Sequence, residues 1–373
     1  MEQRPVWLKT EWVDPATGCR GYLVIDTMIN EQCGGGIRMK KGLGISEVER
    51  LARTMSYKMI GVGRCCGGAK GGINYDPTAE DSSDVLKRFL EAHKPFLLHC
   101  WLTSADLGTK AEDIQSFLSE IGIKSPAHLQ KALSFTVDGM KITEVVTGYG
   151  LAVAATSALT ELEERRPDCP TAAVQGFGNV GGSAALYLER AGFKVVAVAD
   201  ALGTLYEPGG IDVSFLLKNR NRYGEIDRRC LPAHYRQLNR EDWLAVDVDV
   251  LVPAATADAI NSDNVSQIKA RYIVEGANIP TTVEAEAELA QKGVVVIPDF
   301  MANAGGVGFF GIARNQPVDN PQVILQSLQE QISGMVSRAS KRSKSEGITV
   351  RAAAIRIIEE KRQDYDLQAR CKK

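Results

Sequence analysis

Apolar and polar positions alternate differently in the two halves of the chain. In the first half, short apolar runs sit among helical periods. Residues 20–26, RGYLVID, have the length and β-branched content of a strand, and 34–40, GGGIRMK, predict a second strand entered through glycine. From Ser46 the period becomes helical, with Val48, Leu51, Ala52, Met55 and Met59 on one face and Lys58 late in the helix. GGAKGGI then predicts a glycine-rich loop, and Asp76-Pro77 a turn. Asp81 to His99 predicts one helix, capped near Ser82 or Ser83, with Val85, Phe89, Ala92 and Phe96 on its apolar side. In CWLTSADLGTKAEDI a short apolar strand runs into Asp106. Residues 121–141, with Ser125-Pro126 and few apolar periods, predict the linker between domains.

In the second half strands and helices alternate regularly. A long small-residue helix, TGYGLAVAATSALTELEERR, leads into TAAVQGFGNVGGSAALYLERAGFKVVAVADALG, which reads as strand, glycine turn, helix and a second strand ending in Asp200. DVDVLVPAA (247–255), RYIVEGAN (271–278) and VVVIPDF (294–300) continue the alternation, and two helices near 321–344 and 350–368 follow, their Lys and Arg face reading as solvated surface. Apolar strands separated by helices predict a parallel sheet covered on both faces. The expected fold class is therefore α/β, with an N-terminal α/β domain, a C-terminal Rossmann-like doubly wound domain, and a cleft between them.

Composition narrows the function classes. Apolar residues make up 44% and charged residues 24%, as in ordinary globular chains, and 44 basic against 46 acidic side chains leave a net charge of −2. Neither nucleic acid nor a membrane surface is expected as a partner. The stretch MEQRPVWLKTEW lacks the apolar core of a signal peptide, and no apolar run approaches membrane-spanning length, so a cytoplasmic location is expected. Eight cysteines without CxxC pairs predict free thiols in a reducing compartment. His93, His99, His128 and His234 form neither HxxxH nor HExxH, and no metal site is expected. Cys65 and Cys66 lie close to Lys70 in sequence; either a thiolate role or an inert buried thiol fits them.

Candidate chemistry centres on two lysines. Lys70 stands among Gly67, Gly68, Gly71 and Gly72, where missing side chains admit another molecule close to the backbone. A lysine in such a cramped, partly dry place titrates low, the more so if Lys58 is its neighbour; a surface lysine in a flexible loop is the bland alternative. Asp106 at a strand-to-loop junction is either a working side chain or the N-cap of the helix that follows. Gly176, Gly178, Asn179, Val180 and Gly181 form a GxGxxG turn between strand and helix. The spacing gives Gly176 the tight turn, Gly178 the approach of backbone N–H groups to a pyrophosphate, and Gly181 the close helix–strand packing. Asp200, about 20 positions on, is expected to accept hydrogen bonds from the adenosine ribose. Ala201, Leu202 and Gly203 offer no charge for a 2′-phosphate, so NAD is favoured over NADP. Ala254, Ala255, Asn278 and Asn303 follow later strands, at the sheet edge that receives ligands.

In order along the chain, GGGIRM, MSYK, GGAKGGI, SADLGT, TGYG, GFGNVG, EGAN and PDFMANAGGV resemble the motifs of the glutamate, leucine, phenylalanine and valine dehydrogenases. The resemblance covers nearly the whole chain. It implies that Lys58 binds the substrate α-carboxylate, that Lys70 holds and activates the attacking water, and that Asp106 exchanges protons with the substrate nitrogen. Gly35 and Gly36 match the backbone lining the carboxylate pocket, while Thr147 and Asn278 match residues near nicotinamide and substrate. Residues 1–140, with a C-terminal helix from about 345 to 373, would form the substrate-binding and oligomerisation domain, and 145–340 the NAD-binding one. The implied reaction converts an amino acid and NAD to a 2-oxo acid, ammonia and NADH.

Two positions depart from the glutamate-specific members. Their lysine before GGxR is Gly34 here, and their serine after NAGGV is Phe310. A substrate side-chain carboxylate would lack both partners, so an aliphatic or aromatic amino acid is expected, with Gly34 leaving space and Phe310 offering a wall. A homo-oligomer is expected, of open subunit number. A non-catalytic regulatory homologue that binds dinucleotide or amino acid, and a reductive aminase of a specialised 2-oxo acid, are the alternatives.

Overall fold

The structure, a computed structural model, describes residues 4–163 and 167–371, with side chains through residue 365. It divides into two compact units: the chain up to Pro126 together with Ile358 onward, and Ala127 to Ile357.

The first unit opens with β1 (Leu8–Val13), a strand the apolar runs did not predict because its inward positions are only half-buried. It pairs antiparallel with β2 (Arg20–Ile25). The expected strand over 34–40 is interrupted by its glycines into β3 (Cys33–Gly34) and β4 (Ile37–Met39). α1 (Ile45–Gly61) buries Val48, Leu51, Ala52, Lys58 and Met59. The glycine–lysine stretch, expected as a loop, is instead a strand, β5 (Gly67–Ile73), buried along its whole length. Missing side chains make that possible: a Cβ on Gly68 would overlap the Ser56 backbone, and one on Gly67 the Thr27 carbonyl. The helix expected over 81–99 breaks at His93 into α2 (Ser82–Ala92) and α3 (Lys94–His99), with a proline in the first turn of α3, where its missing N–H costs least. β6 (Trp101–Leu102) and α4 (Ala111–Glu120) follow. The sheet runs β1-β2-β5-β3-β6, with β4 also on β5, over a core that includes Leu23, Ile37, Phe89 and Trp101.

The second unit begins inside the segment expected as a linker. Residues 121–141 contain α5 (Ala127–Leu133), β7 (Thr136–Val137) and β8 (Met140–Lys141). Leu129 and Ala132 of α5 join a core with Ile142, Phe309 and Leu328, which is why the division falls at Pro126 rather than at 140–145. α6 (Ile142–Leu162) starts earlier than expected; the arginines at its expected end, in 164–166, lie outside the described residues. By length and composition α6 could cross a membrane, which corrects the expectation that no run approaches that length, but most of its apolar stretch is buried inside the unit against the helices at Asn179–Arg190, Asp299–Ala302, Gly305–Asn315 and Pro321–Glu346.

The Rossmann-like part follows as β9 (Thr171–Gln175), α7 (Asn179–Arg190), β10 (Lys194–Asp200), β11 (Gly203–Tyr206), α8 (Val213–Lys218), β12 (Arg236–Leu238), β13 (Val250–Pro253) and β14 (Tyr272–Val274). After it come α9 (Val283–Gln291), β15 (Val295–Ile297), α10 (Asp299–Ala302), α11 (Gly305–Asn315) and α12 (Pro321–Glu346). Among the described residues the sheet order is β12-β11-β10-β9-β13-β14-β15. The five strands from β10 to β15 along that order are parallel, and β11 and β12 add an antiparallel edge.

The last helix, α13 (Val350–Cys371), belongs to both units, to the second through Ile357 and to the first from Ile358, not from 345 as expected. Its first turns are held by charge. Arg351 Nη2 lies 2.6 Å from Glu275 Oε2 and Nε 2.6 Å from Glu286 Oε2, while Asp299 N donates to the same Glu275 oxygen at 2.9 Å. Burial pushes the Glu275 carboxyl up to about 7 despite the pull of Arg351. An acid whose folded pKa exceeds its unfolded one loses stability as pH rises between the two values. The Tm of Glu275→Gln relative to the native chain is therefore expected to climb between about pH 4.5 and pH 7 and level off above that; a flat difference would show that folding leaves the Glu275 pKa unmoved.

Candidate active site

In the first unit the glycine strand carries one charged side chain into the interior. Lys70, 3% exposed, faces Val24 across β2 and places Nζ 2.8 Å from Asp106 Oδ2. Arg38 Nε donates to that same oxygen at 2.9 Å, and Arg38 Nη1 reaches Glu47 Oε1 on α1 at 3.2 Å. Arg38 was not among the expected residues; its only signal in the sequence is its position in GGGIRM, and its partner lies 68 residues away.

Backbone contacts hold this geometry. Asp106 does not cap α4, whose N-cap position is Lys110. Its N–H donates to Thr109 Oγ1 at 3.1 Å, and that hydroxyl donates to Ile37 O at 2.8 Å, so the Asp106 loop is laced to the strand bearing Arg38. Gly35 and Gly36 let the β3–β4 segment nest inside: a Cβ on Gly35 would overlap Ala69 O, and one on Gly36 would lie 2.8 Å from Ala105 O. Trp101 Nε1 donates to Gly35 O at 2.9 Å and fixes the segment from the other side.

Burial lowers the affinity of Lys70 for its proton; Asp106 opposes that and Arg38 adds to it, and the amine titrates below the ordinary 10.5. Burial alone would raise Asp106, but Lys70 and Arg38 outweigh it and hold the carboxyl well below the usual carboxylate range. The pair is thus a buried amine of reduced basicity beside a carboxylate kept ionised, an arrangement suited to moving protons.

Lys58 is buried on α1, and Gly34, Gly35 and Gly36 are buried in the β3–β4 segment. One expectation needs correction here. Gly34 does not leave space, because a Cβ there would lie 2.5 Å from Met59 Cε; the thioether methyl already fills it. Cys66 is buried, and Cys65 is exposed, its Sγ accepting from Asn30 Nδ2 at 2.8 Å.

The second unit holds the dinucleotide candidates. Gly176 has φ +89, in the left-handed region that favours glycine, and Gly181 packs where a Cβ would overlap Gly176 O. Gly178 is the N-cap of α7, and a Cβ on it would meet nothing within 4 Å, which leaves an open approach to the helix N-terminus. Asn179 is exposed and Val180 half-buried beside it. These residues fit a pyrophosphate. Ala255 abuts Gly176, and Gly276 stands where a Cβ would come 2.8 Å from Ala254 Cβ. Asn303 Nδ2 donates to Gly276 O and Ala277 O at 3.0 Å and reaches Asn278 Oδ1 at 3.3 Å, shaping the turn after β14. Thr147 lies on α6 against the glycine start of α11, and Phe310 packs beside Phe309 on the core shared by α5, α6 and α12.

Asp200 differs from expectation. Its carboxylate accepts from Leu202 N, Gly203 N and Ile226 N and forms a two-pronged pair with Arg228, at 2.6 and 2.9 Å. With five donors on two oxygens, little capacity is left for ribose hydroxyls. Arg228 escaped notice because it lies 28 residues on, beyond any local motif. The same stretch buttresses the glycine turn, since Arg220 Nη1 donates to Phe177 O and Gly178 O at 2.6 and 2.7 Å.

Two family profiles together match most of the chain. The profile described as Glutamate/Leucine/Phenylalanine/Valine dehydrogenase matches residues 139–364, and that described as the Glu/Leu/Phe/Val dehydrogenase dimerisation domain matches 7–122. The chain is 36% identical over 296 residues to a glutamate dehydrogenase of Thermotoga maritima, covering 77% of this chain and 70% of that one. It is 33% identical over 292 residues to an NADP-specific glutamate dehydrogenase of Synechocystis, covering 73% and 67%. Among solved structures, the leucine-bound form of the hetero-hexameric glutamate dehydrogenase from Thermus thermophilus superposes with a TM-score of 0.75 at 25% identity, over 95% of this chain and 88% of that one.

Removal of the Asp106 carboxylate leaves Lys70 and Arg38 facing each other without a shared anion. Asp106→Ala is expected to destabilise the folded chain by about 3 kcal/mol, read by urea denaturation; a loss near zero would mean that the pair is solvated and not buried.

Proposed function

The chain belongs to the Glu/Leu/Phe/Val dehydrogenase family of NAD(P)-dependent amino acid dehydrogenases, and from that premise we propose that it oxidatively deaminates an apolar L-amino acid, branched-chain or aromatic, with NAD. The single observation that carries the mechanism is the Lys70–Asp106 pair, 2.8 Å apart, its amine buried and its carboxylate half-buried.

In this reading Lys58 holds the substrate α-carboxylate, with the backbone of Gly35 and Gly36 lining its pocket. The turn from Gly176 to Gly181, with Thr147, Ala254, Ala255 and Asn278, would hold the dinucleotide, whose nicotinamide would supply the acceptor for the hydride of the substrate Cα. Lys70, uncharged in a fraction that its burial raises, takes a proton from water as the oxygen adds to the imine carbon. Asp106 relays protons to and from the nitrogen, which leaves as ammonia. Amino acid, NAD+ and water become 2-oxo acid, ammonium, NADH and a proton. Burial leaves a fraction of Lys70 uncharged and able to take a proton, while Lys70 and Arg38 keep Asp106 ionised as an acceptor of low basicity.

An apolar substrate is proposed although the relatives above are named for glutamate. Position 34 has no cation, the space beside it holds the Met59 methyl, and Phe310 has no hydroxyl. A substrate side-chain carboxylate would be left without partners at either position. NAD is proposed because the Asp200–Arg228 pair is neutral and Arg228 is already engaged by Asp200, Ile226 O and Gly203 O, so that guanidinium is committed within the protein rather than offered to a 2′-phosphate. The match to a dimerisation domain supports a homo-oligomer, and the described cysteines, which form no disulfide with one another, fit a reducing cytoplasm.

The deciding experiment is a spectrophotometric screen of the twenty amino acids with NAD and with NADP. Leucine, valine, phenylalanine or tryptophan should give the highest kcat/KM; glutamate ahead of all four would overturn the specificity. Lys70→Ala is expected to abolish turnover while dinucleotide binding, followed by fluorescence titration, is retained, because the glycine turn belongs to the other unit. In the native enzyme the oxidative rate should rise with pH through the lowered Lys70 pKa, below 10.5; a rate independent of pH across that range would remove Lys70 from the proton transfer.

A further inference from the structure

Asp106 is asymmetric. Its Oδ2 receives two cationic donors, Lys70 Nζ at 2.8 Å and Arg38 Nε at 2.9 Å, whereas its Oδ1 takes no hydrogen bond from any described residue. The carboxylate is nonetheless partly accessible, with 19% of its side chain exposed against 4% for Lys70 and 8% for Arg38. Arg38 cannot swing away easily, because Nη1 is tied to Glu47 Oε1 at 3.2 Å and Glu47 is held in turn by Lys40 Nζ at 2.9 Å. The guanidinium is planar, permanently charged and braced at two points, so it fixes direction as well as charge.

We propose that Arg38 is a positioning residue for the proton relay: by clamping Oδ2 it orients the Asp106 carboxylate so that Oδ1 is the oxygen presented to the substrate nitrogen. This rests on the relay role given to Asp106 above. The clamp has two consequences. Proton exchange takes place at one defined oxygen, while the other stays with Lys70. A fixed positive charge also stands beside both titrating groups, and the charged groups that face it are Asp106 from the loop after β6, Lys70 from β5 and Glu47 from α1, with Lys40 behind Glu47. Removing that charge makes protonation easier for Lys70 and Asp106 alike, and both limbs of the pH–rate profile move to higher pH.

The test is the pH dependence of kcat and kcat/KM for Arg38→Met and Arg38→Lys on the best amino acid of the native enzyme. Arg38→Met should lower kcat by roughly 100-fold, the scale for loss of orientation, change KM little, and shift both limbs upward. Arg38→Lys keeps the charge but cannot bridge Glu47 and Asp106 together, so the limbs should return to native positions with kcat only partly recovered. A lowered kcat with unmoved limbs in both variants, or equal behaviour of the two, would overturn the proposal and leave Arg38 a structural residue. If Arg38→Met fails to fold, Arg38→Lys still decides: native kcat in that variant would show that orientation by the guanidinium fork is not needed. Absence of dinucleotide reduction by the native enzyme with every amino acid would count against the dehydrogenase reading itself, a result distinct from any of these.

Discussion

A single buried amine organises the first unit. Putting the Lys70 ammonium into the interior costs several kcal/mol unless an anion meets it, and Asp106 is that anion. The anion must arrive from a distant loop, so the strands between them have to lie closer than side chains allow. Glycine at 35, 36, 67 and 68 follows from that requirement, since at each of these positions a Cβ would strike backbone or a neighbouring side chain. Arg38 follows as well, because a second cation beside the carboxylate keeps it ionised against its own burial.

Much of this organisation was legible in the residues. The strand–turn–helix of the nucleotide half could be read because its logic is local: Gly176, Gly178 and Gly181 act within one turn, and their neighbours in sequence are their neighbours in space. The helix carrying Lys58 was legible for the same reason, its apolar face recurring at the helical period. The glycine–lysine stretch misled, since glycine is ordinarily a breaker of strands, and only the packing of α1 and β2 against it shows why a bare strand is wanted there. The 81–99 helix was read through His93 because its apolar period continues past the point where the backbone breaks.

The charges were the least legible part. Arg38 with Asp106, Arg228 with Asp200 and Arg351 with Glu275 each join residues at least 28 positions apart. Spacing rules see the acid and not the base that answers it, so Asp200 read as a free acceptor when its capacity was already taken. A burial-driven shift, as at Lys70, could be anticipated from glycine crowding alone; the partner that moderates it could not. Gly34 shows the same limit in apolar form, because the methyl that fills its vacancy comes from Met59 on another element.

The first unit is discontinuous, and that carries a consequence for how the chain acquires its shape. Glu359 pairs with Arg4, and Tyr365 donates to Gly63 O, so the opening residues find part of their support only in the final helix. On a ribosome the N-terminal segment emerges first yet has to wait for nearly all the rest before its last piece is available, whereas Ala127 to Ile357 is one uninterrupted stretch and can finish earlier. The first unit is thus the later of the two to be completed, although its opening residues are the first to be made, and what the final helix adds is support for Arg4 and the turn after α1.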